Sequence, residues 1–213
     1  FDISPAAQHE DMAENDGSSV LYLASDGKLI GVITINDPIR PEAKEVLQYL
    51  RLSGIKNIYL LSGDNRPCVK RIAQELGADG FQAELLPEDK TVFVKNLQAA
   101  GRSVAFVGDG MNDSPALAAA DAAIAMKDGA ELAQNAADII LKTSSLYSLV
   151  AARIIAQRAI KRQKNNTVTS IALNSFLILL GFLGGSFSRS IWLHNLTTLA
   201  ITVNSMKPLL KKS

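Results

Sequence analysis

The stretch Val104-Ala-Phe-Val-Gly-Asp109-Gly-Met-Asn-Asp113-Ser-Pro-Ala-Leu117 restricts the fold of this chain more than any other. Its apolar opening, Val104 to Val107, reads as a buried parallel strand closed by turn residues. Gly108 and Gly110 let the backbone turn sharply and come close to a ligand. Two carboxylates, Asp109 and Asp113, and the amide Asn112 then stand at the carboxyl end of a strand, where open α/β sheets take their ligands. Carboxylate and phosphate oxygens are the hard donors that Mg²⁺ prefers. Ser114-Pro115 opens an alanine-rich helix, with serine able to cap and proline tolerated in the first turn. The pattern describes a loop for phosphate and magnesium. For the Gly-Asp-Gly string taken alone, a polar turn with a capping aspartate is the alternative.

Around this loop the chain alternates helix and strand. Val20 to Ala24 and Leu29 to Ile35 read as a hairpin, joined through Asp26-Gly27. Helices are predicted over Glu42–Ser53, Pro67–Leu76, Glu88–Ala100, Pro115–Ala120 and Ala130–Ala136. Strands are predicted over Asn57–Leu61, Gly80–Ala83, Ser103–Val107, Ala122–Ala125 and Asp138–Leu141. Such alternation predicts an α/β, Rossmann-like parallel sheet wrapped by helices. Residues 1 to 19 promise a short helix at best.

Four segments, in order, resemble the signatures of the P-type ATPases, members of the haloacid-dehalogenase-like superfamily. Asn36-Asp37-Pro-Ile-Arg-Pro41 resembles the hinge entering the phosphorylation domain. Leu61-Ser-Gly-Asp-Asn65 is similar to the loop that holds the phosphoryl group, Leu86-Pro-Glu-Asp-Lys90 to the segment with the phosphate-binding lysine, and Gly108 to Leu117 to the last signature. The resemblance runs from about residue 20 to the end. It implies that Asp109 ligates Mg²⁺ and that Asp113 supports the ion or its water. It also implies that Ser62, the Gly63 backbone and Asn112 bond phosphoryl oxygens, that Lys90 neutralises their charge, and that Asp64 and Asp37 lie beside the same pocket. Phosphoryl transfer needs this kind of positioning and electrostatic stabilisation. Taken singly, Lys90 also reads as a solvated helix-start lysine, and Ser62 and Asp64 as turn or N-cap chemistry.

The family's nucleophile is the aspartate of an Asp-Lys-Thr-Gly motif, and no such string occurs here. Asp89-Lys90-Thr91 continues with Val92 at a helix start and is no substitute. The expected reading is therefore the C-terminal portion of a pump. Residues 1–35 are then a remnant of the nucleotide-binding domain, 36–144 the phosphorylation domain, and 145–213 a linker helix with two transmembrane helices. Covalent phosphorylation needs a carboxylate nucleophile, so the chain alone should not turn over ATP. A subunit of a split pump, a soluble phosphatase-type domain or pseudo-enzyme, and a truncated gene product are the competing readings.

A net charge of +1 gives no reason to invoke nucleic acid. The single cysteine, Cys68, excludes an internal disulfide and fits a reducing compartment. Hydrophobic residues, 47% of the chain, are unevenly spread. Ser145 to Asn165 reads as a helix with Arg153, Arg158, Lys161, Arg162 and Lys164 on one face. Thr167 to Phe187 carries no charge and is long enough to cross a bilayer. Ile191 to Met206 is a shorter second span, extended by its flanks and by lysines that snorkel. The basic residues put both ends in the cytoplasm and residues 188–190 on the far side of a plasma or inner membrane. A buried helical hairpin in a soluble protein is the alternative. Gly181, Gly184 and Gly185 suit close helix packing or a break.

Polar side chains inside such helices are functional candidates. Asn174 matches the family's intramembrane asparagine, and His194-Asn195-Leu-Thr197-Thr198 occupies the place where heavy-metal pumps carry ion ligands. Imidazole with amide and hydroxyl oxygens suits a divalent zinc, manganese, cobalt or nickel ion better than copper(I). His194 as an interfacial neighbour of Trp192, and Thr197 and Thr198 bonding back to helix carbonyls, are the alternatives.

Overall fold

The computed structural model describes residues 19–26, 28–35, 38–183 and 187–208. Asn36, Asp37, Gly184 and Gly185, singled out above, and the helix expected before residue 19 lie outside them. The first elements are strands β1 (Ser19–Ser25) and β2 (Lys28–Ile35), paired antiparallel with a bulge between Leu23 and Ala24. Asp26 takes the left-handed backbone (φ 49°) that a tight hairpin turn needs. Leu21, Leu23, Ile30 and Ile33 are each more than half exposed on this hairpin.

From residue 38 the alternation is the one the sequence predicts, each boundary within two residues. The order is α1 (Ala43–Leu52), β3 (Tyr59–Leu61), α2 (Arg66–Leu76), β4 (Gly80–Gln82), α3 (Pro87–Ala99) and β5 (Ala105–Gly108). A 3-10 turn (Met111–Asp113) leads to α4 (Ser114–Ala119), β6 (Ala122–Ala125), α5 (Glu131–Asn135) and β7 (Ile139–Ile140). Asn65 caps α2 by accepting the Cys68 N–H at 2.9 Å, and Gly77 ends it with φ 68°.

Every strand pairing after the hairpin is parallel, as expected, but the sheet comes in two pieces, β3–β4 and β5–β6–β7. Both β3 and β5 are therefore edge strands. Val94 of α3, Phe106 of β5, Ala116 and Leu117 of α4, Ala123 of β6 and Ala133 of α5 form a buried cluster, and Leu61 of β3 packs against it. The continuous burial expected for Val104 to Val107 is replaced by alternation: Phe106 and Gly108 are buried, Ala105 and Val107 exposed. Only the Phe106 face of β5 meets the helices.

By its internal contacts the chain divides into two units, Phe1–Val150 and Ala151–Ser213. The linker helix and first span expected as separate pieces are one continuous helix, α6 (Tyr147–Phe182), of 36 residues. At about 1.5 Å per residue it measures about 54 Å, against about 30 Å for a hydrocarbon core. Its basic first half and apolar second half thus share one rod. It stops at Phe182 rather than Phe187, which opens α7 (Phe187–Met206). A Cβ added to Gly181 meets no atom within 4 Å, so this glycine serves the helix end and not close packing. Among the described residues, α6 is the one helix both long and apolar enough to cross a membrane. The second expected span lies in α7, where histidine, asparagine and threonine dilute the apolar run. Within the second unit, the Arg162 guanidinium donates to the carbonyls of Ser205, Lys207 and Pro208 at the end of α7. Beside it Asn166 donates to Ser205 Oγ (2.8 Å) and accepts from Asn204 (3.0 Å).

Candidate functional site

Three loops leave the carboxyl ends of β3, β4 and β5, and hydrogen bonds link them in turn. In the loop after β3, the Ser62 hydroxyl donates to Asp64 Oδ2 at 2.8 Å and accepts the Asp64 N–H at 3.2 Å. Asp64 does not cap α2; Asn65 does. The loop after β4 is tied to the first: Glu84 N–H donates to the Asp64 carbonyl at 2.9 Å, and Leu85 N–H to the Ser62 carbonyl at 3.1 Å. Gly63 lies where a Cβ would come within 3.3 Å of the Leu85 carbonyl oxygen. The same segment runs into α3, whose start is fixed by Asp89 Oδ2 accepting the Leu86 N–H at 3.0 Å.

From the first turn of α3, Lys90 reaches across to the loop after β5. Its Nζ lies 2.7 Å from Asp113 Oδ1, and the two side chains are only 12% and 14% exposed. Lys90 is therefore not a solvated lysine. Asp113 Oδ2 takes the Gly110 N–H at 3.4 Å. A Cβ on Gly108 would sit 2.7 Å from that of Asp113, so the strand end must be glycine for the carboxylate to settle there. Asp109 and Asn112 are exposed on the same turn. The Asp109 backbone is held by the Ala130 N–H, which donates to its carbonyl at 2.7 Å.

The donors on this turn are hard: a solvent-facing carboxylate, an amide and a second carboxylate already neutralised by a lysine. Carboxylate and amide oxygens of this kind are the donors Mg²⁺ takes, so the residues present fit that ion. The arrangement differs from the implied roles in one respect. Lys90 and Asp113, assigned separately to phosphoryl charge and metal, hold each other.

In the second unit, His194 Nδ1 lies 2.9 Å from Asn174 Oδ1, across the two helices. The hydroxyls of Thr197 (2.8 Å) and Thr198 (3.0 Å) both donate to the His194 carbonyl. That is back-bonding, although each oxygen keeps a lone pair. Asn195, next in sequence to His194, is turned about 100° round the helix.

Two groups were not foreseen. Glu84 lies two residues past an ordinary-looking strand, and nothing local marks it. Arg162 and Asn166 are four apart and share a helix face, a signal that could have marked the polar seam.

The geometry can be set beside known proteins. The model of the haloacid dehalogenase-like hydrolases matches residues 4–121, more than half of the chain. A zinc-exporting P-type ATPase of Mycobacterium marinum is 43% identical over 190 residues, 88% of this chain and 26% of that protein. A manganese-exporting P-type ATPase of Mycobacterium leprae is 40% identical over 205 residues, 95% of this chain and 28% of the other. A crystal structure of a zinc-transporting PIB-type ATPase in its E2.Pi state superposes with a TM-score of 0.84 at 30% identity, covering 96% of this chain and 34% of that one. The chain thus spans about a quarter of the length of these curated relatives.

Proposed function

The chain belongs to the haloacid dehalogenase-like hydrolases, and from that premise we propose that it is the part of a heavy-metal P-type ATPase that holds Mg²⁺ and the phosphoryl group and supplies its last two membrane helices. The observation that carries this reading is the Lys90–Asp113 pair beside the exposed Asp109, joined through the α3 start to the Ser62–Asp64 loop. These residues bind and orient a phosphoryl group. Ser62 Oγ, on turning from Asp64, and Asn112 donate to its oxygens, Lys90 shares its charge between Asp113 and the incoming anion, and Asp109 holds the metal. Bound there, Mg²⁺ would neutralise charge on the transferring group. The nucleophilic carboxylate comes from sequence outside these residues. The two-piece sheet supports this, since among the described residues β3 and β5, the strands that lead into the site, each have an unpaired edge that one further parallel strand would fill. The uncovered hairpin β1–β2 suits a piece of a nucleotide-binding domain.

The helical unit crosses the membrane with both ends in the cytoplasm and contributes to the transport site. With the Asn174 oxygen accepting from His194 Nδ1–H, His194 Nε2 keeps its lone pair for a metal. Imidazole with amide oxygen suits a borderline divalent cation over copper(I); the relatives include zinc- and manganese-exporting and also copper-transporting pumps, so this preference rests on the side chains alone. ATP is the substrate of the intact pump, and hydrolysis drives the metal across.

The test is a titration of inorganic phosphate into the detergent-solubilised chain with and without Mg²⁺. Parent chain should bind phosphate weakly and in a Mg²⁺-dependent way; Asp109→Asn should lose the Mg²⁺ dependence. Identical Mg²⁺ dependence in both would overturn the assignment.

A further inference from the structure

We infer that Glu84 is a positioning residue: held in a left-handed backbone conformation, it straps the phosphoryl loop Ser62–Asn65 to the start of α3 and so sets Ser62 against Lys90. This rests on the phosphoryl site proposed above and adds to it the residue that fixes its two halves relative to each other.

Glu84 has φ 58°. An L-residue other than glycine adopts that region at a cost, and it persists only where the surroundings over-determine it. Asp26, the other such residue described, has an evident reason in its hairpin turn. Glu84 has no hairpin; it makes two bonds, and the Leu85 N–H that it orients a third, to the loop after β3 and the start of α2. Its N–H donates to the Asp64 carbonyl at 2.9 Å. Its left-handed turn aims the next N–H, that of Leu85, at the Ser62 carbonyl at 3.1 Å. Its carboxylate Oε1 accepts the Arg66 N–H at 3.3 Å, one of the donors that a helix start leaves without an intrahelical partner.

The strap therefore holds Ser62, Asp64 and Arg66 at once, and Asn65 is fixed separately by its bond to Cys68. Six residues later along the same segment comes Lys90. Ser62 and Lys90 must grip one phosphoryl group, yet they sit on different strands' loops, and the Glu84 turn is the covalent and hydrogen-bonded bridge between them. A displacement of about 1 Å in such a pair can cost about a hundredfold.

The experiment uses the full chain with Glu84→Gln, Glu84→Gly and Glu84→Val, reading amide hydrogen exchange at Arg66, Glu84 (or its replacement) and Leu85, and binding of inorganic phosphate with Mg²⁺. Gln keeps a carbonyl acceptor, so all three amides should stay protected and phosphate affinity should remain within about twofold. Gly adopts the left-handed turn freely but has no carboxylate, so protection should persist at 84 and 85 and fall at Arg66. Val, β-branched, cannot hold the turn; all three amides should open and phosphate binding weaken about tenfold or more. Parent-like protection and affinity in Glu84→Val, or damage in Glu84→Gln equal to that in Glu84→Val, would overturn the inference. Absence of phosphate binding by the parent chain would instead count against the site itself, and the amide pattern would still decide the strap.

Discussion

At Lys90 and Asp113 two opposite charges are drawn almost wholly out of water, 2.7 Å apart. Desolvation makes each depend on the other: removing one partner of a buried pair leaves a stranded charge, whereas replacing both by apolar groups is often close to neutral. Lys90→Met should therefore destabilise the first unit by about 3 kcal/mol, the low end for a buried pair with some solvent contact. The double variant Lys90→Met/Asp113→Leu should recover part of that loss in urea unfolding. If the two single losses merely added, the pair would not be coupled. Much of this site was legible one residue at a time, because Asp109, Asn112, Asp113 and Lys90 stand in short glycine- and proline-marked strings. Their partnership was not. Lys90 and Asp113 are 23 positions apart, and a sequence states which charges exist but not which of them meet. Glu84 was hidden for a related reason: a left-handed glutamate is imposed by the two loops it joins, and its own neighbours carry no turn signal.

Helix and strand boundaries followed local chemistry closely, since Asn65, Gly77 and Gly101 stop or start elements through caps that need no tertiary partner. Two features of the elements departed from that logic. Which strand pairs with which is a long-range property, so the alternating pattern foretold parallel strands and not their division into two sheets. The change from basic to apolar residues near Asn165 looks like a boundary in composition, but a helix propagates on backbone propensity, and α6 meets no glycine or proline until Gly181. Tertiary ties between elements carry their own consequences. Arg51 at the end of α1 grips Asp79 with both nitrogens, at 3.0 and 2.9 Å, and Asp79 also accepts the Ile58 N–H at 2.7 Å. The Arg51 hydrogen bond first, and that of Ile58 second, hold the Asp79 carboxyl below its ordinary value of 3.8. The unfolded chain then binds the proton more readily than the folded one, so this contribution to stability is complete above pH 3.8 and is lost as pH falls through the lower folded value. Asp79→Asn should melt at a lower temperature than the parent near neutrality, and the gap should close on acidification below about pH 4. A gap that stays constant from neutrality into acid would show that the carboxylate's charge is not what matters.

Taken whole, the chain has two units of different composition, and one helix, α6, has residues in both. The first unit is an α/β assembly in which charged groups converge on loops. The second has few charges beyond its basic start; its Thr197 and Thr198 hydroxyls bond back along α7, and other polar side chains bond between the helices: Arg162, Asn166, Asn204 and Ser205 at one level, Asn174 and His194 at another. In hydrocarbon an unsatisfied polar group is costly, so pairs of this kind are expected to find each other. The first cluster closes on itself, with Arg162 taking the carbonyls at the end of α7 and the amides and hydroxyl bonding among themselves. The second does not: the bond to Asn174 engages Nδ1 of His194 and leaves the other ring nitrogen, Nε2, for a ligand. This difference separates a structural seam from a candidate ligand site, and it makes a prediction for a reconstituted pump containing this chain. His194→Ala should raise the metal concentration needed for half-maximal ATPase stimulation at least tenfold while leaving the KM for ATP unchanged, because the proposed phosphoryl site is in the other unit. Asn174→Ala, which removes the orienting acceptor and leaves the imidazole, should act in the same direction, within the about 10- to 100-fold range of lost second-shell contacts. Arg162→Gln should lower the melting temperature of the protein with little effect on metal response. If His194→Ala and the parent respond to zinc and manganese alike, the imidazole is an interfacial residue beside Trp192, and the transport ligands lie elsewhere.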